Sequence, residues 1–377
     1  RFRSLRVMRT ARIGPWLLLA CHAHSFGRPL QLRMALAPSL VRPAPPILGL
    51  ERPVKLGSSD LLVSPMGVGT WAWGNKLLWG YDESQNEVLR QGFQATVDAG
   101  ITWFDSADSY GTGAIEGQAE RLFGDFSASS RTAAGRKAEI FTKFAPYPWR
   151  IGSRSIEGAC DAALERMGRS QLGVAQLHWP PTLGWQLPEY LDGLSALKTS
   201  GKAKALGLSN FGPKTLKKVA QAMEARGTPI SSNQVQFSLL SRLPGTEDRI
   251  QEANEMGISI IGYSPLALGL LSGKYSAAAR PPGPRGQIYR ETLPKISRLL
   301  DLMDEIGRTR GKTTAQIGIN YVLCKGALPL VGVRSPAQAK ENAGALGWRL
   351  SEGEVLALEK EAAAAGADVV QNIFQTS

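Results

Sequence analysis

Eight short apolar runs separated by helical patterns constrain this chain more than its composition does. The runs end at or near Gly69, Phe104, Lys143, His178, Ser209, Val235, Tyr263 and Val331. Between them lie patterns of helical period, for example over 83–98, 153–167, 213–225 and 294–308. Strands that alternate with helices pair in parallel through right-handed crossovers, and eight such units close into an α/β (β/α)8 TIM barrel. Ahead of the repeat, 54–56 and 61–63 flank Gly57-Ser58-Ser59-Asp60 and predict an N-terminal β-hairpin. The segments 313–323 and 351–364 read as two accessory helices. Residues 51–377 carry no composition break, and with 43% hydrophobic residues overall they can bury one large core as a single domain.

Residues 1–50 differ from the rest. They hold eight arginines, no lysine and no acidic residue, the first carboxylate being Glu51. Of the 44 basic residues, 36 remain beyond that point against 32 acidic ones, so the net charge of +12 belongs mostly to this segment. That distribution argues against nucleic-acid binding, and no aromatic-basic motif points to it. An arginine-rich, acid-free start reads as an organelle-targeting leader. The apolar run Pro15-Trp16-Leu17-Leu18-Leu19-Ala20-Cys21, then Phe26-Gly27-Arg28-Pro29, follows the order of a secretory signal ahead of a plastid transit peptide. A single chloroplast or mitochondrial peptide is the simpler alternative. The run falls far short of the ~20 residues that span a bilayer, so no membrane insertion is expected. Cys21, Cys160 and Cys324 show no paired spacing, so neither a disulfide framework nor a metal site is indicated.

The chemistry sits at the strand ends, where barrels keep their active sites. Asp105 and Tyr110 lie in Phe104-Asp105-Ser106-Ala107-Asp108-Ser109-Tyr110, Lys143 closes Ile140-Phe141-Thr142-Lys143, and His178 closes Ala175-Gln176-Leu177-His178. A phenol, with an ordinary pKa of about 10, becomes a usable proton donor when an ammonium stands beside it. Asp105 would hold the Lys143 ammonium, and His178 would orient a substrate carbonyl. Each residue alone has a plainer reading: a packing tyrosine, a snorkelling lysine, a core histidine. Trp71, Trp73, Trp149 and Trp179 are candidate pocket walls, and 281–286 is a candidate lid whose Arg285, with nearby Arg290, suits a polar or phosphorylated ligand.

These motifs, together with Gly207-Leu208-Ser209-Asn210, Asn233-Gln234, Tyr263-Ser264-Pro265-Leu266 and Leu271-Ser272-Gly273-Lys274, resemble the aldo-keto reductase superfamily. The resemblance runs from about Val54 to Ala364 and is nearest to plant chloroplast members, pyridoxal-reductase-like ones among them. It implies an NADP-dependent carbonyl reductase with Tyr110 as general acid, supported by Asp105, Lys143 and His178. It also implies NADPH bound extended across the barrel mouth, with no metal. Thr70 and Trp71 would border the cofactor, Ser209, Asn210 and Gln234 would bond its carboxamide, and Tyr263 would stack on the nicotinamide. Backbone amides around Ser264, Leu266 and Gly269, with Lys274, would meet the pyrophosphate. Arg334 and Ser335 would face the 2′-phosphate, with Gln338 and Asn342 near the adenine. Gly332 and Gln338 stand where some members carry a lysine and an arginine, which leaves NADH as a competitor. Gly173-Val174-Ala175 replaces a common Asp-Leu-Tyr before the Gln-Leu-His element. The superfamily also includes nicotinamide-sensing accessory subunits of potassium channels, which give the alternative function.

Overall fold

The computed structural model describes residues 53–111, 116–242, 246–276, 278–281, 283–367 and 369. The proposed leader over 1–50 lies outside them. The strands are β1 (Val54–Lys55), β2 (Leu62–Val63), β3 (Gly67–Gly69), β4 (Trp103–Asp105), β5 (Glu139–Phe144), β6 (Leu172–Leu177), β7 (Ala203–Ser209), β8 (Ile230–Gln236), β9 (Ser259–Tyr263) and β10 (Leu328–Gly332). Strands β3 to β10 form a closed, all-parallel barrel in chain order, and β1 pairs antiparallel with β2.

The helices between them are α1 (Lys76–Trp79), α2 (Asn86–Asp98), α3 (Gln118–Ala128), α4 (Ala133–Arg136), α5 (Arg154–Met167), α6 (Leu187–Thr199), α7 (Pro213–Glu224) and α8 (Thr246–Glu255). They continue as α9 (Pro284–Thr292), α10 (Ser297–Arg310), α11 (Thr314–Cys324), α12 (Pro336–Ala343) and α13 (Glu352–Ala364). Two starts show why these segments are helical. Thr313 and Ser351 each cap their helix through a reciprocal bond with Gln316 and Glu354 three residues on. No helix among the described residues is long and apolar enough to cross a membrane.

One expectation is corrected here. The 313–323 segment, taken as an addition to the repeat, is buried along most of its length. It packs against β10, while α10 and α13 pack on each other. The helix anticipated over 294–308 is therefore the outer layer. Likewise, the lid anticipated over 281–286 enters helix α9 at Pro284.

Side chains alternate across a strand, so one register sorts the barrel interior into layers. Trp103, Phe141, Val174, Ala205, Ile261 and Leu328 form the lower, apolar layer. Two residues further along their strands stand Asp105, Lys143 and Gln176, buried and polar. The hairpin closes the apolar end, with Leu56 and Val63 joining the inner core and the Ser58 amide donating to Gly257 O at 2.7 Å. The Trp103 ring leaves no room for a side chain at position 67, where a Cβ would lie 2.4 Å from it. Gly207, on β7, similarly clears space for Gln176 and Ser232 in the polar layer. The barrel is thus plugged at one end and polar at the other.

Candidate active site

Asp105 ends β4, and its carboxylate is 1% exposed. A buried carboxylate is costly unless charge and hydrogen bonds surround it. Here Lys143 Nζ pairs with Oδ1, and the side-chain amides of Gln176 and Gln234 each donate to Oδ2 at 2.9 Å. Lys143 Nζ also donates to Ser106 O at 2.6 Å. Thr70 supports the same strand end, donating to Asp105 O through both its amide, at 2.8 Å, and its hydroxyl, at 3.0 Å.

The Lys143 ammonium lies 5.0 Å from the Tyr110 ring centroid, and that ring meets His178 edge-on at 5.9 Å. The four residues anticipated from separate strand ends therefore converge. Their electrostatics differ from the sequence expectation. Tyr110 is only partly exposed, and the protein crowding its hydroxyl raises the phenol well above its ordinary pKa, with the Asp105 charge adding to the effect. Lys143 is spent on Asp105 and is itself lowered by burial. Tyr110 consequently stays protonated at ordinary pH. A nascent alkoxide is far more basic than a phenolate, so such a phenol can still give it a proton. Burial, then the Lys143 charge, lowers His178 well below its usual value. It stands as a neutral imidazole with a buried, unpartnered Nδ1.

Beside this cluster, Asn210 takes a left-handed backbone at φ 65°. Its amide side chain donates to His178 O and Ser209 Oγ, both at 3.0 Å, and Tyr263 donates its hydroxyl to Asn210 Oδ1 at 3.0 Å. The other left-handed non-glycine residues among those described are Ser264, Ala267 and Leu268, and Gly269 follows at φ 101°. Such strain gathers where backbone must present itself to a ligand. Tyr289, fully buried on α9, donates to Leu268 O at 2.9 Å and braces the turn. The Gly269 amide, expected to face a pyrophosphate, instead donates to Leu266 O at 2.9 Å. Lys274 is exposed, with its ammonium 5.7 Å from the Tyr275 ring centroid.

At the far end of the mouth, Ser335 caps α12 and Gln338 Oε1 accepts from the Arg334 amide at 2.7 Å. Asn342 donates to Gly332 O at 3.1 Å. Arg334 is half-buried, and burial plus the nearby Arg285 charge lowers its pKa. Arg285 stacks on Trp79 at 4.3 Å. Arg334 also donates to Gln85 Oε1 at 3.3 Å, and a guanidinium suits a phosphate.

The tryptophans divide. Trp73 is fully buried and donates to Val333 O at 2.8 Å, so it is core rather than pocket wall. Trp71 meets Trp79 edge-on at 5.9 Å, and Trp179 packs on His178 at 4.6 Å. Gln234 was expected on a carboxamide, yet its nitrogen serves Asp105. Gln176 belongs to the Gln-Leu-His element but was given no role, although it lies two residues before His178 on β6 and its strand parity was readable.

The depressed His178 pKa has a stability consequence. Its contribution is present above the unfolded value of about 6.5 and is lost as pH falls toward the lower folded value. Thermal unfolding across this range should show the parent losing stability with acid faster than His178→Gln. Parallel curves would contradict the assignment.

Comparison with known proteins agrees with this geometry. Residues 65–362 match the aldo/keto reductase family. The chain is 46% identical over 327 residues to a protein of Arabidopsis thaliana named pyridoxal reductase, chloroplastic, covering 86% of this chain and 89% of that one. It is 27% identical to the NADH-specific methylglyoxal reductase of Escherichia coli, over 82% of this chain and 98% of the relative. Among solved structures, a glycerol dehydrogenase from Gluconobacter oxydans superposes with a TM-score of 0.71 at 24% identity, covering 86% and 99% of the two chains. An aldo-keto reductase from Klebsiella pneumoniae in complex with NADPH gives 0.63 at 23%, covering 82% and 94%. A family match over residues 65–362 and a relative 46% identical along most of the chain, on a barrel whose polar end gathers Asp105, Tyr110, Lys143 and His178, lead to one conclusion: this protein belongs to the aldo/keto reductase family of oxidoreductases.

Proposed function

We propose that the chain is an NADPH-dependent reductase of aldehydes or ketones, with pyridoxal first among the substrates to test. The observation that carries this reading is the convergence of Tyr110, His178 and the buried Lys143–Asp105 pair at one point of the mouth. NADPH, when bound, supplies the hydride. The chain's own residues do the rest. His178, neutral and edge-on to Tyr110, orients the carbonyl oxygen, and Tyr110 gives that oxygen its proton as charge develops. Lys143, 5.0 Å from the phenol ring centroid, neutralises Asp105 beside the site, and Gln176 and Gln234 hold that carboxylate in place.

The cofactor's fit rests on the left-handed residues Ser264, Ala267, Leu268 and Gly269 and on the half-buried Arg334, whose pKa the Arg285 charge helps to lower. Ser209, Asn210 and Tyr263 border the nicotinamide end in this reading, and Ser335, Gln338 and Asn342 the adenosine end. The Arabidopsis relative's name supports pyridoxal as substrate and, with the acid-free leader, a plastid location.

Three measurements check these points. Turnover followed by nicotinamide absorbance should fall by about 10²–10⁴ in kcat for Tyr110→Phe with NADPH binding retained, since general acid catalysis contributes that much. Tight cofactor binding without turnover of any carbonyl by the parent would instead favour a nicotinamide-sensing accessory role. Arg334→Met should weaken NADPH about ten- to a hundredfold, the size of a lost charge-assisted bond, and leave NADH almost unchanged. Equal losses for both cofactors would remove the 2′-phosphate assignment. Finally, residues 1–50 fused to a fluorescent protein should deliver it to plastids, and a cytosolic signal would count against import.

A further inference from the structure

Trp149 is 69% exposed, yet nothing about its setting is loose. Its ring lies 4.7 Å from that of Tyr147 and 7° from parallel. The loop carrying both is pinned from beneath by two buried side chains. Gln186 Nε2 donates to Pro148 O at 3.3 Å and to Arg150 O at 3.2 Å. The Tyr190 hydroxyl lies 3.2 Å from Tyr147 O and 2.5 Å from Arg150 O. A large apolar ring stacked on one face and open to water on the other leaves most of its apolar surface unburied.

The ring also has a direction. Tyr147 meets Trp179 edge-on at 6.2 Å, Trp179 packs on His178 at 4.6 Å, and His178 meets Tyr110 at 5.9 Å. Aromatic faces thus run without a break from the proton donor to the rim. Arg150 joins the outer end of this path to the catalytic segment. Its guanidinium lies 5.2 Å from the Tyr147 ring centroid and pairs with Asp108 at 2.6 Å. Asp108 stands two residues before Tyr110, and its amide donates to Lys143 O at 3.0 Å. Burial pushes the Asp108 carboxyl up, and the Arg150 charge opposes that shift.

We propose that Tyr147 and Trp149 form a stacking plate that selects flat, conjugated aldehydes over aliphatic ones. Arg150 is the positioning residue that fixes this plate relative to Tyr110 through Asp108. The inference rests on the reductase reading and deepens it by naming a substrate class. Flat π-faces stack on such a plate with little loss of freedom, whereas an alkyl chain gains only the area it covers.

The test compares 2-naphthaldehyde with propanal, using the full chain and NADPH. In Trp149→Ala the ratio of kcat/KM for the two should fall about tenfold, mainly through KM for the flat substrate, the scale of one lost stacking contact. Trp149→Phe should restore most of it. Arg150→Met should lower the ratio similarly, and Arg150→Lys should recover part, because a charge can still reach Asp108. An unchanged ratio in Trp149→Ala would overturn the plate while leaving the reductase reading intact. Calorimetric binding of 2-naphthylmethanol, the alcohol product, to the NADPH-loaded chain keeps the plate testable if the parent turns over no aldehyde. Affinity about tenfold weaker in Trp149→Ala supports the plate, and equal affinity rejects it.

Discussion

The buried pair of Lys143 and Asp105 is the interaction on which the polar half of this barrel depends. Removing two charges from water costs several kcal/mol per ion even after relaxation, and their attraction repays this only when the remaining valences are filled. Four strands contribute to filling them. Gln176 from β6 and Gln234 from β8 satisfy one carboxylate oxygen, and Lys143 from β5 takes the other. The Ser106 carbonyl, just past β4, accepts from the ammonium as well. The pair therefore costs specificity of sequence on strands far apart in the chain, and in return fixes how their ends meet.

That requirement explains the layering beneath. A charged pair in a barrel must be kept from the water at the opposite end, and the apolar layer around Trp103 and Phe141, sealed by the hairpin, does so. Glycines stand where bulk would break the layers. Gly67 yields to the Trp103 ring and Gly207 to the side chains of Gln176 and Ser232. The same low-dielectric setting raises the Tyr110 phenol and lowers the His178 imidazole. Both are consequently neutral at rest, which is the state needed to orient a carbonyl and then protonate it.

Backbone strain is confined as well. The left-handed non-glycine residues among those described, Asn210, Ser264, Ala267 and Leu268, all lie just past strand ends at the mouth. Two of them are braced by neighbours: Tyr263 and the His178 carbonyl bond Asn210, and Tyr289 bonds the turn at Leu268.

The sequence by itself determined the order of strands and helices, the parity that turns Phe141 and Lys143 to one face, and the four strand-end residues of the quartet. The order and parity follow from near-neighbour periodicity, which acts over a few residues, and the quartet from motifs that resemble a known family. Only the tertiary structure decided which partners those residues take. The pairing of Asp105 with Lys143 was expected, but Asp105 also meets Gln176 and Gln234 across 71 and 129 positions. No local pattern encodes these two pairings, so the resemblance put Gln234 on a carboxamide and left Gln176, though part of its motif, without a role. Burial is equally non-local. Trp73 and Trp149 look alike in the sequence, yet one is sealed in the core and the other faces solvent. The phenol expected to be acidified by its lysine neighbour is instead raised, because closing the barrel buries Tyr110 and brings the Asp105 charge close to it.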